Sequence, residues 1–174
     1  MEPFIESGMT FGPYADTHCF RVETSATFKA IGDGVHIAEF LLIRVKPTSP
    51  PSVWVAEAKS SSPRPETELD FNKFIGEIRD KLTNALSLCI AAMLNRHPNT
   101  AAEVPDGFRH LDLATAGFRL VLIINGHPKA WLPPLQDAMR RALLATAKTW
   151  ALGPNAVVVI NHEEAKHSGL ISAP

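Results

Sequence analysis

Glu57 and Lys59 stand two residues apart at the end of Val53-Trp54-Val55-Ala56-Glu57-Ala58-Lys59, a run of β-branched, aromatic and small apolar residues. A strand alternates its side chains between faces, so Val53, Val55, Glu57 and Lys59 share one side. A carboxylate and an ammonium then meet at the end of an apolar strand, where charge is costly unless it is paired or bound to a metal. A second acid comes from upstream: in Gly34 to Val45, residues Val35, Ile37, Glu39, Leu41 and Ile43 fall on one face, and Glu39 alone interrupts the aliphatic row. Two neighbouring carboxylates repel unless a cation sits between them or one keeps its proton. A hard divalent ion with oxygen ligands, Mg²⁺ with Mn²⁺ as a substitute, suits such a pair. Glu-x-Lys alone is a common tripeptide that an ordinary strand-end ion pair would explain. Glu39 is what gives it weight.

The surrounding pattern predicts the elements that would place these side chains. Pro50-Pro51 and Ser60-Ser61-Ser62-Pro63 bound the Glu57 strand, and the turn-like Lys46 to Pro51 joins it to the Glu39 strand as an antiparallel hairpin. Thr24 to Ile31 predicts a brief helix stopped by Gly32. Thr67-Glu68-Leu69-Asp70 predicts a helix start, with the Thr67 hydroxyl accepting from the Asp70 amide. Phe71, Phe74, Ile75, Ile78, Leu82, Ala85, Leu86, Cys89 and Met93 then repeat at three- and four-residue intervals along one long helix that Asn95 to Pro98 ends. Lys73 and Lys81 lie off that stripe, as solvated groups or as side chains reaching toward phosphates. Gly117 to Gly126 is an almost continuous apolar run, as in a strand covered on both faces. Pro133 and Pro134 suit the first turn of a following helix, with Leu135, Met139, Ala142, Leu143 and Trp150 on its buried side and Arg140, Arg141 and Lys148 on a basic one. Ala156 to Ile160 is the last strand, parallel to its predecessor through a helical crossover. Residues 1–19 read as an irregular N-terminal arm and 161–174 as a polar tail, all within a single domain, 1–174.

An acid on one strand, Glu-x-Lys on the next and a long helix after it resembles the PD-(D/E)XK phosphodiesterase superfamily over roughly residues 20–125. No Pro-Asp precedes Glu39, which departs from the name-giving pattern and makes its choice over Asp33 a matter of strand register. The resemblance implies a restriction-endonuclease-like α/β sandwich, a central mixed sheet flanked by helices. It implies Glu39, Glu57 and Lys59 as catalytic residues, with Glu39, Glu57 and the Ala58 carbonyl as metal ligands for Mg²⁺. Glu23, before the acidic strand, and Lys81 are accessory candidates. The expected activity is metal-dependent hydrolysis of nucleic acid, DNA first, in restriction, antiphage defence or repair. A different class remains open: a nuclease-like scaffold that binds a partner protein or nucleic acid without cutting. A small-molecule enzyme using the carboxylate pair for acid–base work is a third.

Composition limits these readings. A net charge of −1 lacks the basic surplus of autonomous nucleic-acid binders, so a homo-oligomer or a partner subunit is expected to assist targeting. No run approaches the ~20 apolar residues of a membrane span, Met1-Glu2-Pro3-Phe4 carries no secretory leader pattern, and a cytoplasmic protein is expected. Cys19 and Cys89 have no metal-ligand spacing, and Cys89 reads as a plain buried thiol. No phosphate-binding glycine loop, Gly-x-Ser-x-Gly or His-Glu-x-x-His occurs.

Overall fold

A computed structural model describes residues 1–172. In chain order the elements are β1 (Phe4–Glu6), β2 (Met9–Phe11), β3 (Cys19–Phe20), α1 (Ala26–Ile31), β4 (Phe40–Lys46), β5 (Ser49–Lys59), α2 (Glu68–Met93), α3 (Asp106–Arg109), β6 (Gly117–Ile124), α4 (Leu132–Ala142), α5 (Leu144–Thr149), β7 (Val157–Asn161) and α6 (His162–His167). β3-β4-β5-β6-β7 form one five-stranded sheet, antiparallel from β3 to β5 and parallel from β5 to β7. The mixed α/β architecture, the hairpin and the parallel crossover match the sequence expectation.

Strand alternation divides the core. Val53, Val55, Leu120, Leu122, Val157 and Val159 point to one side, where Ile75, Ile78, Leu82 and Leu86 of α2 and Leu135 and Met139 of α4 cover them. Ala56, Ala58, Val121, Ile123, Phe40 and Leu42 point to the other and meet Phe4, Met9 and Phe11 of the β1–β2 hairpin, Ala165 of α6 and Leu170. β6 is therefore buried on both faces, which is why it reads as an unbroken apolar run.

Several boundaries differ from the sequence expectation. β4 begins at Phe40, so residues 34–39 lie outside the ladder. Gly32 and Gly34 both have positive φ, at 82° and 90°, and bend the chain just before it. The segment is held from the helix side, where the Asn84 side chain donates to the His36 carbonyl at 2.8 Å. The irregular arm is instead largely structured: residues 4–11 make a hairpin across Ser7-Gly8, and β3 joins the main sheet. The polar tail contains α6 and the buried Leu170 and Ile171; its last two residues, 173 and 174, lie outside the described residues. Thr67 caps nothing with its side chain, because its hydroxyl donates to the Arg64 carbonyl at 2.8 Å. The single helix expected after Pro134 breaks between Ala142 and Leu144, and Trp150 is 42% exposed rather than buried.

Candidate functional site

Glu57 reaches its place because β5 runs three residues beyond the end of its pairing with β4. Residues 57–59 are held on the other side by β6, with Glu57 opposite Leu122 and Lys59 opposite Ile124. Phe40 pairs with Ala56 at the end of the β4–β5 ladder, and Glu39, the residue before it, lies close enough to Glu57 for the two charges to interact. Though Glu39 precedes β4, its backbone is fixed: its N–H donates to the Ala56 carbonyl at 3.1 Å and its carbonyl accepts from the Glu23 N–H at 3.5 Å. Glu39 and Glu57 lie near one another, with Glu39 just ahead of the strand rather than inside it.

The α2 side of the sheet completes the cluster. Glu57 has no solvent exposure, and its Oε1 lies 2.7 Å from Lys59 Nζ and 2.9 Å from Lys81 Nζ. Both carboxylate oxygens are buried, and neither has a donor in hydrogen-bond geometry. Lys81 comes from the middle of α2 between the buried Ile78 and Leu82, which fix the turn that carries it. Its Nζ also stands 3.9 Å from Glu23 Oε1. Both accessory candidates, Glu23 and Lys81, thus belong to the same group of charges. Lys73 is exposed on the same helix and takes no part in it.

Electrostatics follow from burial and from this crowding. Glu39 is only 8% exposed, and its carboxyl is pushed up to about 8, first by burial, then by the neighbouring Glu23 carboxyl, then by the Glu57, Glu23 and Glu6 charges. Burial pulls the Lys81 ammonium down, but Glu57, Glu39 and Glu23 together carry it above its ordinary value. Glu57 thus lies between the Lys59 and Lys81 amines, beside a Glu39 carboxyl that keeps its proton past neutral pH.

Three neighbours were not among the sequence candidates. Glu6 sits close enough to bias Glu39 and is itself paired with Arg21 at 2.6 Å. The Arg21 guanidinium lies over the Phe4 ring at 4.4 Å, with a buried, unpartnered Nε. The Ser7 hydroxyl donates to the Ala58 carbonyl at 3.0 Å, so the carbonyl expected as a third metal ligand already has a partner. The Ser7-Gly8 step between Phe4-Ile5-Glu6 and Met9-Thr10-Phe11 was the available signal for this hairpin.

The donor set for a cation is therefore Glu39 and Glu57. Among the described residues no group of three or more His, Cys, Asp or Glu side chains is arranged to hold a metal ion. Two facing carboxylates with an orphaned buried oxygen still fit Mg²⁺, which keeps several waters and is commonly held by one or two carboxylates plus substrate phosphate. The fit requires Glu39 to lose its proton. Compared with protein-family models, curated proteins and solved structures, the chain matches none. No helix among the described residues is long and apolar enough to cross a membrane.

Proposed function

We propose that the Glu39–Glu57–Lys59 cluster is the active site of a Mg²⁺-dependent nuclease with a restriction-endonuclease-like core. The observation that carries this reading is Glu57: a fully buried carboxylate with an unpartnered oxygen, flanked by two ammonium groups and facing a second acid. An ion pair that served stability alone would satisfy both oxygens, since a buried acceptor without a donor costs about 1–3 kcal/mol.

Glu39 and Glu57 would hold the ion. Bound there, a divalent cation polarises a phosphate and lowers the pKa of a coordinated water. Lys59, about one-third exposed, stands on the accessible side of Glu57, where its ammonium can orient that water and offset charge developing on the phosphate. Lys81 is more deeply set and holds the Glu57 carboxylate in register from the helix side. Glu39 gives up its proton on becoming a ligand, so cation affinity rises with pH up to about 8.

A scaffold without hydrolytic activity is the second reading. It is favoured by one observation: both ammonium groups already sit on Glu57 Oε1, leaving the pair neutralised without a metal. Cleavage separates the two. Linear, circular and single-stranded DNA and RNA, incubated with Mg²⁺ or Mn²⁺, should be cut by the wild type. Lys59→Ala should lower the rate by roughly 100-fold or more, on the scale of losing one transition-state donor, with little change in melting temperature. Equal cleavage by Lys59→Ala would remove Lys59 from the mechanism, and no cleavage of any substrate would leave the scaffold.

A further inference from the structure

Beside this cluster lies a second feature that the hydrolytic reading does not use. β5 ends at Lys59, and the chain runs on through Ser62 and Arg64; β6 ends at Ile124, and the Asn125 N–H donates to the Lys59 carbonyl at 2.8 Å before the chain reaches His127. The two segments wall a cavity of about 270 Å³ closed by Trp131 and Pro134 at the start of α4. Ligand sites of open parallel sheets gather at these carboxyl ends.

The cavity presents an aromatic face. Trp131 is 47% exposed, unusual for so large an apolar side chain. The Arg64 guanidinium stacks over its ring at 5.0 Å, and the His127 ring meets it edge-on at 5.4 Å and 89°. The Ser62 hydroxyl, 2.8 Å from His127 Nε2, fixes the imidazole. Burial holds His127 below its ordinary value, so the ring is neutral at pH 7 and can exchange hydrogen bonds with an uncharged edge. Pro63, Pro65 and Pro134 in the lining restrict the backbone, so little ordering is lost when a ligand stacks. No carboxylate pairs with Arg64 among the described ion pairs.

We propose that Trp131, Arg64 and His127 form a subsite for one unpaired nucleobase of a single-stranded nucleic acid, adjoining the Glu57–Lys59 strand end. This rests on the nucleic-acid part of the function proposed above, and not on hydrolysis. An exposed indole with a guanidinium packed over its ring offers the planar aromatic and cationic surfaces on which bases stack irrespective of sequence. The cavity of about 270 Å³ has room for a ring system. Glu66, the single acid in its lining, disfavours a bare anion as the occupant. The local Trp–Arg stack also answers the near-neutral net charge, since stacking supplies affinity without a broad basic surface.

The test is fluorescence anisotropy in EDTA with short labelled single strands of DNA and of RNA, and with a blunt duplex. The wild type should bind a single strand more tightly than the duplex. Trp131→Ala should weaken that binding roughly 10- to 100-fold, the scale of one base–aromatic stack; Trp131→Phe should retain most of it, and Trp131→Leu should not. The two strand types separate a DNA occupant from an RNA one. Unchanged binding by Trp131→Ala, equal rescue by Leu and Phe, or preference for the duplex would overturn the proposal. Because no metal is present, loss of binding in Trp131→Ala alongside no cleavage by wild type would sink hydrolysis and leave the subsite. Cleavage by wild type with unimpaired binding by Trp131→Ala would do the reverse.

Discussion

At the scale of single residues, Glu39 is the group whose behaviour differs most from its type. In the unfolded chain it releases its proton near the ordinary value of 4.5, whereas folded it holds the proton to about 8. Across that window the folded state binds the extra proton, so stability falls as pH rises through it and levels off above about 8. Thermal melts between pH 5 and 8 should therefore show a declining melting temperature, and Glu39→Gln, which keeps the shape without the titration, should flatten the decline. An unchanged slope in Glu39→Gln would mean that other groups carry it. The same residue marks what could be read beforehand. Glu57 and Lys59 were legible because period-two alternation along β5 fixes the face of a side chain whatever its neighbours do, whereas Glu39 reaches them from just ahead of β4. Glu6, Arg21 and Ser7 were not, since their closeness to the site depends on how a distant hairpin folds back over the sheet.

At the scale of elements, α2 does two jobs. Its apolar stripe closes one face of the sheet, and the residue between Ile78 and Leu82 on its flank delivers Lys81 to Glu57. Ile78→Ala should cost about 2–5 kcal/mol, as for truncation of a fully buried aliphatic side chain. Chemical denaturation measures that loss directly; a cost under 1 kcal/mol would show that α2 is not packed as described. The helix was legible from its periodicity to within a residue or two, and so were β6 and β7, whereas β5 begins at Ser49 and takes in Pro50 and Pro51, which the sequence reading placed in the turn before it. The start of β4 was not: Val35 and Ile37 keep the alternation of a strand, but the glycines before them and the Asn84 side chain draw the segment out of the ladder. The Thr67 cap failed for a similar reason, since its hydroxyl found a carbonyl in the preceding turn.

At the scale of the whole molecule, the sheet carries its charged cluster on the α2 side, while the opposite face is closed by the β1–β2 hairpin and α6. The hairpin wraps past the sheet edge, so its Ser7-Gly8 turn arrives where β5 and β6 end, with the Asn125 side chain donating to the Ser7 carbonyl at 3.0 Å. Site and core are thereby mechanically continuous, and a ligand held by Glu39 and Glu57 should be felt by the entire fold. Melting temperature read against Mn²⁺ concentration above pH 8, where Glu39 is ionised, tests the central claim most directly. The wild type should be stabilised by about 2.7 kcal/mol once the ion reaches a hundredfold excess over its dissociation constant, and Glu57→Gln should show no such rise. A wild-type melting temperature indifferent to Mn²⁺, or an equal rise in Glu57→Gln, would contradict a divalent ion held between these two acids.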